Sequence, residues 1–200
     1  RRLADLWTAE RLDRMSEDRL HDVSNYLLRA AVARVPVYEG VLARVQDIVS
    51  RWQVFHWELE FPVPVLLNGG FDAVFGNPPW VSFGLRGMGV LDEAEETFYR
   101  TRYADSAEYK LSLYAVFMEA AMRLVRSGGR QSFIVPDSFL LGSYFGGIRG
   151  FILAKAAIER IVLFLEDFWP SGSVGRCVLY IARIEPDARV RKLAMVEAIE

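Results

Sequence analysis

Between Phe71 and Phe83 the chain reads FDAVFGNPPWVSF, and four consecutive residues in it, Asn77, Pro78, Pro79 and Trp80, carry groups suited to chemistry. An amino group on a flat heteroaromatic ring, such as adenine's, is a poor nucleophile because its lone pair is delocalised into the ring. Two acceptors placed on its two hydrogens draw the nitrogen toward tetrahedral geometry and free that pair. The side-chain oxygen of Asn77 and the main-chain carbonyl of Pro78 are such acceptors. Proline fixes φ and has no N–H, so this stretch cannot wind into a helix that would consume its carbonyls. Trp80 offers a face on which an extruded base can stack, an interaction worth about 1–3 kcal/mol per base. Acceleration of this kind is preorganised electrostatics, not covalent catalysis. The plainer alternative is a proline-rich turn with a tryptophan used for packing.

Elements must hold these groups in place. Phe71, Ala73, Val74 and Phe75 predict a short apolar strand interrupted only by Asp72, with Gly76 opening a turn. In open α/β sheets the carboxyl ends of strands are where ligands bind. Upstream, residues 3–51 have an amphipathic helical pattern, broken at Pro36, and FHWELEFPVPVLLNGG reads as a connector. Downstream, residues 108–126 predict a helix with Leu111, Tyr114, Ala115, Met118, Ala121, Met122 and Val125 on one face. SGGR stops it, with Gly128 or Gly129 fit for a left-handed cap. QSFIVP (131–136) predicts a second buried strand, residues 145–157 a helix, and IERIVLFL (158–165) a third strand. After a Pro/Gly/Ser loop, RCVLYIARI (176–184) is a strand expected to pair back as a hairpin, antiparallel at the sheet's edge. The alternation implies an α/β fold: part of a doubly wound, mostly parallel Rossmann-like sheet, closed by a C-terminal β-hairpin.

Bulk properties narrow the field. Two hundred residues with 52% hydrophobic content suit one domain or a large piece of one. No apolar run reaches the roughly 18 residues of a membrane helix, and the charged opening residues are no signal peptide. A single cysteine, Cys177, excludes an internal disulfide. A cytoplasmic setting is expected. The net charge of −2 lacks the basic excess of a dedicated nucleic-acid module. If DNA is the substrate, another segment supplies most of the positive surface. The start at Arg1 suggests an excised fragment, divided into a helical segment (1–54), a catalytic half-domain (55–185) and the start of a following helix or linker (186–200).

The succession of blocks resembles the adenine-specific N6 DNA methyltransferases of the large restriction-modification type, whose catalytic motif is Asn-Pro-Pro-Tyr/Phe/Trp. FHWELEFP with GGFDAVFGNPPWV looks like the lead-in and motif IV. LSLYAVFMEAAMRLVRSGGRQSFIVPDSFL looks like motifs V and VI, and IERIVLFLEDFWPSGSVGRCVLYIARI like motifs VII and VIII. The resemblance covers residues 55 to 184. It implies methyl transfer from S-adenosylmethionine to the amino nitrogen of a flipped adenine in DNA, within a bacterial restriction-modification or phage-defence system. Asn77 and Pro78 would bind the amino group, and Trp80 would stack on the base. Pro79 would lie against the cofactor's adenine. Phe117 falls where the family lines that pocket, though a core position on its helix is equally open. Trp169 falls where an aromatic covers the other face of the base, with packing as its alternative and Phe168 as a rival.

Two departures stand out. Where the family often has Asp or Asn before Leu-Tyr, this chain has Ser112, to which the resemblance gives no role. The Gly-rich cofactor loop is missing too: the one glycine cluster, GLRGMG (84–89), follows the catalytic motif and reads as a substrate-side loop. The cofactor half is therefore expected elsewhere in the parent chain. His21 and His56 have no partners at metal spacing, so no metal site is expected. Cys177, inside a predicted strand, reads as a packing residue, and DEAEE (92–96) as a solvated helix start. The rival functions are methylation of RNA guanine or of a protein glutamine, and a non-catalytic packing or binding segment.

Overall fold

The computed structural model describes residues 50, 55–83, 90–108, 111–165 and 175–200. The helical segment expected before residue 55, His21, the 84–89 glycine loop, Phe168 and Trp169 lie outside the described residues. The chain divides into two compact units, Arg1–Pro62 with Leu91–Phe98, and Val63–Val90 with Tyr99–Glu200.

In the first unit the stretch expected to be a connector forms a one-turn helix, α1 (Trp57–Glu60). Aromatic packing explains it: the Phe55 and Trp57 rings meet edge-on at 4.9 Å, and Trp57 and Phe61 stack at 5.8 Å. The acidic run starts helix α2 (Glu93–Arg102). Here Asp92 Oδ1 accepts from the Glu95 amide at 2.8 Å while Glu95 Oε2 accepts from the Asp92 amide at 2.9 Å. Such a reciprocal pair satisfies two N–H groups that a helix start leaves open.

The second unit is built on a five-stranded sheet, β1 (Phe71–Gly76), β2 (Val125–Pro136), β3 (Ala156–Phe164), β4 (Cys177–Ile184) and β5 (Glu197–Ile199), in the order β1-β2-β4-β3-β5. Before β1 the chain makes one wide turn over Val63–Leu67, where Pro64, though it has no N–H to give, still accepts from Gly70 at 2.8 Å. β1 and β2 pair in parallel, as do β3 and β5, and β4 alone runs against its neighbours. The fold is thus the mostly parallel α/β sheet expected, with the β3–β4 hairpin in place.

The position of β4 differs from expectation. It is not the edge strand but lies between β2 and β3. Burial accounts for this: Cys177, Val178, Tyr180 and Ala182 are at most 1% exposed, whereas β3 carries Glu159 and Arg160 on its surface. The most continuously apolar strand takes the interior place, with one face largely buried and the other partly so. Residues 186–200 also go further than a helix or linker, forming helix α6 (Ala188–Leu193) and then β5.

Helix α3 (Leu113–Met122) joins β1 to β2, and helix α5 (Gly146–Lys155) follows the short α4 (Ser138–Leu141). From β2, Phe133 and Val135 join Met118 and Met122 of α3 and Ile148 and Ile152 of α5 in one core cluster. A buried polar chain crosses it, in which Tyr180 Oη donates to Gln131 Oε1 at 2.8 Å and Gln131 Nε2 donates to the Met118 carbonyl at 2.7 Å. α3 is shorter than the predicted 108–126. The backbone at 111–113 is taken up by another segment, described below. The helix ends at Met122 with Arg123 as its C-cap, so that Gly128 and Gly129, expected to cap it, lie within β2. There a Cβ on Gly70 would lie 2.5 Å from the Leu124 carbonyl oxygen, and one on Gly129 2.9 Å from those of Phe71 and Asp72. Only glycine fits at either place.

Candidate functional site

The β1–β2 ladder ends with Gly76 opposite Phe133, and the chain leaves the sheet as Asn77-Pro78-Pro79-Trp80. Asn77 and Pro79 are exposed, Pro78 is buried and Trp80 is half-buried. The Asn77 side chain makes no hydrogen bond to another described residue, and none of them donates to the Pro78 carbonyl. Trp80 packs on the core cluster, and its indole Nε1 donates to the Ile134 carbonyl of β2 at 3.3 Å. The ring is therefore oriented by the neighbouring strand. Asn77 presents its amide to solvent.

Past Trp80 the chain is caught again. The Val81 carbonyl accepts from the Leu113 amide at 2.8 Å, and the Phe83 amide donates to the Leu111 carbonyl at 2.9 Å. Between them Ser82 and Ser112 form an antiparallel bridge, with the Ser82 hydroxyl donating to that of fully buried Ser112 at 3.3 Å. The turn is thus fixed on both sides, by the β1–β2 ladder before it and by the start of α3 after it.

Near this bridge, Tyr114 is 3% exposed and its hydroxyl has no hydrogen-bond partner among the described residues. Burial pushes its pKa up to about 12, against smaller downward pulls from the hydroxyls of Ser138 and Ser112 and the charge of Arg149. Arg149 donates to the carbonyls of Phe139 and Gly142, both at 2.8 Å, and so holds the segment after β2. Asp137 joins the end of β2 to the residue before β4 through Arg176, 3.2 Å away. Cys177 is fully buried, and burial, with the Asp137 charge, pushes its thiol up. That environment suits a packing residue.

The structure brings Asn77, Pro78, Pro79 and Trp80 together at the carboxyl end of β1. Phe117 stands on the open side of α3, 47% exposed, so the core position is set aside. The expectation for Trp169 and its rival Phe168 falls outside the described residues. Sequence reasoning missed Ser82 and Tyr114 and gave Ser112 no role. The one signal was the serine standing where the resemblance expects Asp or Asn. Among the described residues no group of three His, Cys, Asp or Glu side chains could hold a metal ion. No described helix is long and apolar enough to cross a membrane.

A family model described as Eco57I restriction-modification methylase matches residues 8–169. The type II methyltransferase M.TthHB8I of Thermus thermophilus is 31% identical over 112 residues, covering 54% of this chain and 25% of that protein. The type II methyltransferase M.XhoI of Xanthomonas vasicola is 26% identical over 175 residues, covering 86% of this chain and 30% of that protein. This chain spans less than a third of the length of either relative. Among solved structures, the type IIL restriction-modification enzyme MmeI in complex with DNA aligns with a TM-score of 0.46 at 17% identity, covering 64% of this chain and 17% of that one. The type IIG restriction endonuclease BpuSI aligns with a TM-score of 0.45 at 22% identity, covering 56% and 13%.

Proposed function

The chain belongs to the Eco57I restriction-modification methylase family, and from that premise we propose that it forms the substrate-side part of an enzyme methylating the N6 amino group of adenine in DNA. The methyl donor is S-adenosylmethionine, and the setting is the cytoplasm of a cell that marks its own DNA. The remainder of the parent chain carries the cofactor loop and the target-recognition region. The observation that carries this reading is the Asn77–Trp80 turn, in which an amide and a carbonyl that no described residue engages stand beside an oriented indole at the carboxyl end of β1.

Asn77 Oδ1 and the Pro78 carbonyl accept the two amino hydrogens of the flipped adenine and hold its nitrogen with the lone pair outward. As that nitrogen takes the methyl group, the methyl's bond to the donor's sulfur would break with its electron pair going to sulfur. The positive charge on the nitrogen would be stabilised by the same two acceptors until one amino proton leaves to solvent. The backbone that carries both acceptors is anchored beforehand by the β1–β2 ladder and the start of α3, which limits the reorganisation needed at the moment of reaction. Trp80 supports one face of the base, and Trp169 is assigned the other. Pro79 and Phe117, both exposed and apolar, fit the flat adenine of S-adenosylmethionine, which when bound supplies an electrophilic methyl group on its sulfonium.

The test is Asn77→Ala in the full-length parent. Turnover on DNA should fall on the order of 10²-fold or more, by analogy with the loss of one oxyanion-hole donor. Cofactor affinity should barely change. Near-normal methylation by the variant rejects the role of Asn77. Transfer by the wild type to RNA or to a glutamine-bearing protein, with none to DNA, rejects the acceptor.

A further inference from the structure

Ser112 holds the N-cap position of α3, with extended backbone angles of φ −115° and ψ 124°. A serine there ordinarily turns its oxygen back onto the amide of the second or third helical residue. This one makes no such bond. Its hydroxyl, fully buried, instead accepts from Ser82, on the segment that carries the Asn-Pro-Pro-Trp turn. The helix gives up its side-chain cap, and its first amide, that of Leu113, is satisfied by the Val81 carbonyl at 2.8 Å. The start of α3 and the exit of the turn thus complete each other's hydrogen bonding.

We propose that Ser112 is a positioning residue for methyl transfer, latching the segment after Trp80 through Ser82 and so fixing the turn that presents Asn77. This rests on the function proposed above. From Gly76, held opposite Phe133, to Ser82, held opposite Ser112, only five residues intervene, and two are prolines. Fixing both ends of so short and stiff a span leaves the Asn77 side chain and the Pro78 carbonyl few other arrangements. Loosening one end frees those arrangements without removing a group that touches the substrate.

The experiment uses the full-length parent with Ser82→Ala, Ser112→Ala, the double variant and Ser112→Thr. Methyl transfer to DNA, cofactor affinity, thermal unfolding and amide hydrogen exchange over residues 80–83 are measured on each. Either alanine variant should lower kcat about 3- to 10-fold, the equivalent of one neutral hydrogen bond. Cofactor affinity should stay within about twofold, and exchange over 80–83 should quicken. The double variant should be no worse than the worse single one, because both remove the same bond. Ser112→Thr, which keeps the hydroxyl, should recover most of kcat. Unchanged exchange and kcat in Ser112→Ala would overturn the latch. So would additive losses, or a kcat loss that merely follows a fall in melting temperature. A wild-type parent silent on DNA but active on another acceptor rejects the function reading, and the exchange measurement still decides the latch.

Discussion

At Trp80 two demands meet in one side chain. Its N–H is bound to Ile134 and its ring packs on the core, while the proposed chemistry needs a face of the ring for the base. Trp80→Phe separates these demands. It removes a bond whose net worth is about 1 kcal/mol and keeps a π-face, so unfolding should come slightly earlier while most activity is retained. Trp80→Ala should also lose the stacking, about 1–3 kcal/mol per base, read as weaker DNA binding or slower turnover. Tyr114 gives an alkaline signature. Its pKa is 10.0 when free and about 12 when folded, so the folded state resists ionisation. Its contribution is complete below pH 10 and drains away as pH rises toward 12. A pH series of urea unfolding should show this loss, and Tyr114→Phe should flatten it. Because no described residue makes a well-formed hydrogen bond to the hydroxyl, the same variant should be about as stable as the wild type at neutral pH, or more so. The turn proposed to be catalytic could be singled out in the sequence because its four residues are contiguous. The partners that orient it could not: Ile134 and Ser112 are 54 and 30 residues from theirs, and no local pattern encodes a pairing at that distance.

Among the elements, the sequence alternation carried the class of fold and the β3–β4 hairpin, since period and turn chemistry are local. The order of strands is not local. A hairpin partner may be seated at an edge or inside with the same turn, and what seats β4 inside is its pairing on both sides, favoured by apolar residues on both faces from Cys177 to Ala182. That run of apolar residues on both faces was present in the sequence, and it marks a central strand. The register of β1 against β2 depends on glycine. The ladder jumps from Phe71–Val125 to Ala73–Arg130, and the excess residues fit because Gly129 and Gly70 let backbones meet closely. Gly70 adds a φ of +133°, a conformation that side chains oppose. Gly129→Ala should cost about 1–3 kcal/mol, the usual range for overpacking, and Gly70→Ala at least as much. Denaturant midpoints would register both. A loss below a few tenths of a kcal/mol would mean the crossing is looser than its contacts imply. At the far end of the sheet Glu185 is drawn below the usual carboxylate range, first by the Asp187 amide and then by Arg183. Its contribution is present above pH 4.5 and disappears as pH falls through the lowered value. Glu185→Gln should therefore soften acid unfolding.

For the whole molecule the decisive relation is between the site and what must surround it. The match covers only 25% and 30% of the length of the two relatives, and the turn that would bind the methyl acceptor lies within this chain. The two residues proposed for the methyl donor, Pro79 and Phe117, are both apolar. A polar, charged ligand such as S-adenosylmethionine gains affinity from donors fixed around its amino-acid and ribose groups, and binding also costs translational and rotational freedom. One stacked ring, worth about 1–3 kcal/mol by the measure of bases on aromatic side chains, falls well short of the roughly 8 kcal/mol of a micromolar site. The 200-residue chain alone should therefore bind S-adenosylmethionine no better than millimolar, and the full-length parent far more tightly. Titration calorimetry on both distinguishes the cases. Micromolar binding by the 200-residue chain would mean that residues outside those described complete the cradle. Phe117→Ala in the parent should then weaken the cofactor in proportion to the lost stacking while leaving DNA affinity alone. An unchanged cofactor affinity in that variant would leave the exposed face of α3 without the role assigned to it.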